Sequence, residues 1–284
     1  MIDAEKLKVK VKTKAHENGL EPQDIMQMYF FERLLFRISM SKYKTNFILK
    51  GGLLLSAIFG EERRTTQDMD TMIKGIPLEK KELEKIIKEI IGIKLDDDIS
   101  FVIKNIKDIR LSDKYGGLKI NLIGFKEHLQ VPLSIDVTAG DPITPRELEF
   151  KYKCMFDNSY INIMAFNKET IIAEKFETFI TDNTMNTRAK DFYDLYTFFT
   201  RFNSEINKRT LVDAIKNTFK RRETDFDINK IRNTFELIRK DDELRKNFDN
   251  YKKKKPYARN ITYDEVINAI STIIQILEEE LILT

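Results

Sequence analysis

Phe47-Ile48-Leu49-Lys50-Gly51-Gly52, followed by Arg64-Thr65-Thr66-Gln67-Asp68-Met69-Asp70, is the stretch on which the reading of this chain turns. An apolar run enters a Gly-Gly turn, and the turn opens a short apolar helix over 52–59. Bare backbone at a helix N-terminus offers unpaired N–H groups and the positive end of the dipole to an anion such as phosphate. A short strand follows around Asp68–Lys74. Aspartates at i and i+2 of a strand share a face, and both stay ionised at low cost only with a cation between them. A hard divalent ion, Mg²⁺ or Mn²⁺, held by one or two carboxylates plus phosphate oxygens, suits that pair. Taken alone, such a pair reads more simply as solvated surface. Two other pairs occur, but Asp96/Asp98 lies in a charge cluster between elements and Asp225/Asp227 in a polar connection that caps a helix. Only Asp68/Asp70 follows a glycine-led helix.

Working outward, residues 20–46 place Met26, Tyr29, Phe30, Leu34, Leu35 and Ile38 at helical spacing. Pro77 predicts the start of a helix that runs through about Ile91. Three runs have strand character: Ser100–Arg110, Leu118–Phe125 and Val131–Thr138. The last alternates, with Val131, Leu133, Ile135 and Val137 on one face and Ser134, Asp136 and Thr138 on the other. Asp136 thereby supplies a third carboxylate on a polar face. Three acids beside one another form the donor set used in two-metal phosphoryl or nucleotidyl transfer; an exposed edge aspartate is the plainer alternative. Residues 149–165 predict a hairpin about Asn158-Ser159. Beyond Asn167 the signals are helical: 168–182, 187–201, 208–220, 227–248 and 262–282. The expectation is an α+β chain: a mixed sheet with flanking helices over residues 1–155, then a mainly helical domain over 156–284.

Composition narrows the classes. The chain has 284 residues, 49 Lys+Arg against 46 Asp+Glu, and a net charge of +3, so nucleic-acid binding would need local patches. Two such patches exist, Lys216-Lys220-Arg221-Arg222 and Lys252–Lys255 with Tyr257 and Arg259; a solvated face is the bland reading of both. A single cysteine, Cys154, excludes an internal disulfide framework and cysteine metal clusters. The longest apolar stretch, Gly51–Gly60, is about half of what spans a bilayer. A soluble, cytoplasmic protein with no membrane partner is expected.

The order of these motifs resembles the nucleotidyltransferase fold of the DNA polymerase beta superfamily, and more narrowly the AbiEii/AbiGii toxin family. Lys50-Gly51-Gly52 and Arg64 to Asp70 carry the first part. Ala173-Glu174-Lys175-Phe176 and Arg188-Ala189-Lys190-Asp191-Phe192-Tyr193-Asp194-Leu195 carry the second. The likeness covers about residues 45–200, and the last ~80 carry no matching motif. Gly52 departs from the superfamily's usual Gly-Ser, which removes a hydroxyl from the phosphate turn. The resemblance implies Asp68, Asp70 and Asp136 as metal ligands and catalytic acids, with Lys175 and Asp191 also catalytic. It implies nucleotide contacts from Lys50, Gly51, Gly52, Arg64, Thr66, Lys175, Arg188, Lys190 and Asp194. On the residues alone, Lys175 beside the apolar stripe of its helix is a snorkelling lysine or a triphosphate-binding cation. Arg188, Asp191 and Asp194 at intervals of three are an intrahelical ion-pair set or a means of positioning Lys175.

The implied activity is transfer of NMP from an NTP, with release of pyrophosphate, to an RNA acceptor, foremost the tRNA 3′ end. That would make the chain the translation-blocking toxin of an abortive-infection toxin–antitoxin pair active in phage defence. Its antitoxin would be encoded nearby and need not bind it. Transfer to a protein or small-molecule hydroxyl, and a three-carboxylate nuclease, are the alternatives.

Overall fold

A computed structural model describes residues 2–60, 64–109, 116–181 and 189–282. Two compact units result: Met1–Asp141 with Glu147–Ala165, and Pro142–Arg146 with Phe166–Thr284.

The first unit opens with α1 (Ala4–Asn18) and α2 (Pro22–Met40). Asp3 caps α1 by accepting from the Lys6 N–H, and Gly19 ends it with φ 63°. The sequence reading gave α2 but not α1, whose polar positions are rich in lysine and whose buried apolar stripe is reduced to Ala4, Leu7, Val11 and Ala15. Next come β1 (Phe47–Lys50), α3 (Gly51–Phe59), β2 (Met69–Ile73) and α4 (Lys80–Ile91). β1 was read only as an apolar approach. All four of its residues are buried, so it lacks the alternation that marks a half-exposed strand. α4 begins three residues after Pro77, so the proline precedes the helix instead of opening it.

β3 (Ser100–Ile109), β4 (Gly117–Lys126), β5 (Leu129–Ala139), β6 (Leu148–Lys153) and β7 (Tyr160–Ala165) complete the unit, close to their expected bounds. Among the described residues they join β1 and β2 in one mixed sheet, ordered β3-β4-β5-β2-β1-β7-β6. β2–β5 and β1–β7 are parallel, and the other pairs antiparallel. Helix α2 packs on this sheet. Its Phe30 lies so close to Gly124 of β4 that a Cβ there would sit 2.4 Å from the ring. About two turns further on, Arg37 forms a bidentate pair with Asp97, both bonds at 2.9 Å, and also donates to the Ile99 carbonyl.

The second unit is helical: α5 (Lys168–Thr181), α6 (Ala189–Arg201), α7 (Lys208–Arg221), α8 (Ile228–Arg239), α9 (Asp242–Lys254) and α10 (Tyr263–Ile282). Phe176, Phe179, Phe192, Phe198, Phe219 and Phe235 are buried in its core. The expected helix 227–248 is two helices, because the Asp241 carboxylate accepts from Glu243 and Leu244 N–H and starts a new helix there. Pro142–Arg146 belongs to this unit through Asn167, which donates to the carbonyls of Thr144 at 2.7 Å and Arg146 at 3.0 Å.

Replacing Arg37 by Ala leaves buried Asp97 without its counter-charge. Breaking a buried pair from one side costs about 3–5 kcal/mol. Urea unfolding of Arg37→Ala is expected to show a loss of that order, and a loss under about 1 kcal/mol would mean the pair is solvated.

Candidate active site

Four residues stand in one row across four strands. Lys50 on β1 pairs in register with Asp70 on β2, Asp70 with Asp136 on β5, and Asp136 with Lys119 on β4. Directly opposed residues of neighbouring strands share a face, so the sheet carries a cation, two acids and a second cation side by side. Lys119 Nζ lies 2.9 Å from Asp136 Oδ1. At the other end, Lys50 Nζ lies 2.8 Å from Asp141 Oδ2, which also accepts from Thr138 Oγ1 at 2.8 Å.

The glycines fit this row. Gly51 has φ +64°, and a Cβ there would fall 2.0 Å from Asp70 Oδ2. One at Gly52 would fall 2.5 Å from Thr66 Oγ1. Both positions therefore need hydrogen where a side chain would otherwise be, and the N-terminus of α3 lies directly on Asp70. The Gly52 N–H points to Asp70 Oδ2 at 3.4 Å, a weak bond.

Asp68 is not on the strand; it lies in the bend before β2. Its direction comes from Thr66, whose Oγ1 donates to Asp68 Oδ1 at 2.8 Å. The loop itself is tied down from two sides. Ser56 Oγ of α3 donates to the Arg64 carbonyl at 2.6 Å, and the Asp24 carboxylate of α2 accepts from Thr65 Oγ1 and Gln67 Nε2 at 3.3 and 3.2 Å. Arg64 is buried and its guanidinium donates to the Thr65 carbonyl.

Burial, and then the neighbouring charge of Asp68, push the Asp70 carboxyl above its ordinary range; Asp136 adds to this, while Lys50 and the Gly52 N–H oppose it. Asp68 and Asp70 suit a hard divalent cation that completes its shell with phosphate oxygens and water. Among the described residues, no group of three acids, histidines or cysteines is gathered closely enough to hold a metal alone. The third acid, Asp136, is in register with Asp70 but is engaged by Lys119.

In the helical unit, Lys175 of α5 is ion-paired to Asp191 and, at 2.8 Å, to Asp194, both on α6. Asp194 is fully buried and the lysine side chain is 13% exposed. A snorkelling lysine would reach solvent; this one ends between two acids. Asp191 and Asp194 thus orient Lys175. Lys190 is exposed on α6, and Arg188 lies outside the described residues.

Lys119, Asp141 and Asp24 were missed. Lys119 follows the polar phase of an alternating strand, so its face was legible but its partner was not. Asp141 lies just past the alternating run Val131–Thr138, where no periodic signal reaches it. Asp24 meets residues more than forty positions away, and no local pattern signals that.

A carboxyl whose folded pKa is raised costs stability once it ionises. The cost is absent below the unfolded value of about 4 and fully present above the folded one. Asp70→Asn is therefore expected to melt higher than the wild type at about pH 7, with the gain vanishing near pH 3. Equal melting temperatures at neutral pH would show that Asp70 carries no such strain.

The sequence profile of the family described as nucleotidyl transferase AbiEii toxin, type IV toxin–antitoxin system, matches residues 33–269. Two crystal structures from Helicobacter pylori share the fold. One is provisionally assigned as a nucleotidyltransferase, with TM-score 0.51 and 16% identity over 93% of this chain and 99% of that one. The other is JHP933, with TM-score 0.50 and 15% identity over 92% and 94%. Identities this low speak to fold alone. None of the curated proteins compared with the chain matches it. No helix among the described residues is long and apolar enough to cross a membrane. With the glycine turn set on an acidic strand and a family profile matched over most of its length, the chain belongs to the AbiEii nucleotidyltransferase toxins of type IV toxin–antitoxin systems.

Proposed function

We propose that this toxin transfers a nucleoside monophosphate from an NTP to an RNA hydroxyl, foremost the 3′ end of tRNA, and so halts translation. The observation that carries the reading is the row Lys50–Asp70–Asp136–Lys119, with the N-terminus of α3 set on Asp70. Asp68 and Asp70 hold Mg²⁺ or Mn²⁺, which when bound supplies charge to the phosphates that these carboxylates would otherwise repel.

The Gly51 and Gly52 backbone, Lys50, Arg64 and Thr66 receive the phosphates. Gly52 brings no hydroxyl, so backbone N–H groups and cations carry that contact. The acceptor hydroxyl oxygen bonds to the α-phosphorus as the bond to the β-phosphate oxygen breaks and pyrophosphate leaves. Asp136 takes the hydroxyl proton, and Lys119 turns from Asp136 to leave that carboxylate available. For Lys175, with Asp191 and Asp194 orienting it, the proposed role is a cation for the nucleotide; Lys190 and Arg188 belong to the same motif. The cognate antitoxin acts without needing to bind the toxin. The pair serves phage defence, and the reaction takes place in the cytoplasm.

The test is incubation with total tRNA, Mg²⁺ and each α-³²P-labelled NTP. Labelled tRNA is expected from the wild type and none from Asp68→Ala. Equal labelling by both would remove Asp68 from the chemistry. Label in protein or small molecules, with none in RNA, would overturn the RNA acceptor.

Lys175 needs its own test, because Lys175→Ala strands two buried acids and destabilises whatever its role. Lys175→Ala/Asp191→Asn/Asp194→Asn, which removes both stranded charges, is expected to recover most of the lost stability by thermal melting. Its transfer rate is expected to stay about ten- to a hundred-fold down, the worth of a charge-assisted contact. Recovery of both together would make Lys175 a purely structural residue.

A further inference from the structure

Residues 250–260, Asn-Tyr-Lys-Lys-Lys-Lys-Pro-Tyr-Ala-Arg-Asn, hold five cations and no acid. The chain as a whole is only +3, so everything outside this segment is net acidic. The four lysines span the last turn of α9 and the residue after it, and Arg259 follows the 3-10 turn Pro256–Ala258. Cations in a last turn do offset the helix dipole. That explains Lys252, which also meets Asp249 at 3.5 Å. It does not explain Lys255 and Arg259, which lie beyond the helix end. Lys253, Lys254 and Arg259 are exposed.

The second feature is aromatic. Tyr257 packs on Tyr193 of α6 with ring centroids 4.9 Å apart, and its hydroxyl lies 3.1 Å from that of Tyr251. Tyr193 is buried, while Tyr251 and Tyr257 remain partly exposed. The rings are thus fixed by the core from behind and open to solvent among lysines. Tyr193 stands between Asp191 and Asp194, the two acids that hold Lys175, so this corner is built on the same helix as that cluster.

We infer that this corner of the helical unit is a binding surface for the RNA acceptor. Lys253, Lys254, Lys255 and Arg259 contact phosphates, and Tyr257 offers a stacking face to an unpaired base. The inference rests on the proposed RNA acceptor and adds where that acceptor is held. An anionic membrane is the competing target for a polybasic segment. Residues 250–260 contain no Leu, Ile, Phe or Trp to insert among lipids, and the tyrosines are anchored inward. In the other basic cluster, Arg222 is occupied by Glu177 and Thr178.

The experiment is fluorescence anisotropy of end-labelled total tRNA with the full chain across a KCl series. It compares the wild type with Lys253→Ala/Lys254→Ala/Arg259→Ala and with Tyr257→Phe. Each lost phosphate contact removes roughly 0.7–0.9 from the slope of log K against log salt. The triple variant is therefore expected to lose about 2–3 from the slope and at least ~10-fold in affinity, with melting temperature and NTP binding unchanged. Tyr257→Phe, which keeps the ring, is expected to bind as the wild type does. An unchanged slope in the triple variant overturns the surface, as does a wild type that binds phosphatidylserine vesicles but no tRNA. If the wild type binds tRNA through these residues yet labels none of it, the surface stands and the proposed transfer to RNA fails. If both proteins label tRNA equally well, the transfer stands and the surface does not.

Discussion

A main chain pressed against a carboxylate organises the first unit. Gly51 can begin α3 at φ +64° only because it has no side chain, and Asp70 fills the space a Cβ would take. β1 and β2 must therefore run antiparallel in the register that sets Lys50 beside Asp70. The parallel pairing of β2 with β5 then brings Asp136 alongside. A one-residue slip would turn each of these side chains to the opposite face, so the apolar residues of the strands hold the register that the charged ones use.

The row also sets a cation against its acids at either end. Lys119 compensates Asp136 at one end, and Lys50 stands beside Asp70 at the other while pairing with Asp141. Asp70, between them, bears the residual strain as a raised pKa. Charge held near a reacting phosphate from fixed positions costs little reorganisation during the reaction. The helical unit uses the same device on a smaller scale. Two acids from consecutive turns of α6 hold the Lys175 ammonium in a nearly dry position, and such buried charge clusters gather at functional sites more often than elsewhere.

Away from the row, α2 lays Phe30 over Gly124, and Arg37 satisfies Asp97. The second unit is an aromatic-rich helical assembly with a run of cations at the end of α9.

The sequence by itself determined the period-2 strands, most helices and the glycine turn. Each of these is written in residues a few positions apart, where steric and periodic rules act. But it set Asp68 on the strand with Asp70, where the structure has it in the bend before β2. It left β1 and α1 unread, because a four-residue buried strand has no alternation and a lysine-rich helix has only a thin apolar stripe. It also could not separate α8 from α9, where a single aspartate cap outweighed a continuous helical pattern. Only the tertiary structure decided that Asp136 meets Lys119, that Lys50 meets Asp141, that Asp24 ties down the loop before Asp68, and that Lys175 ends between two acids. Those contacts join residues far apart in the chain, and strand register and helix packing, not local propensity, bring them within reach of a charge.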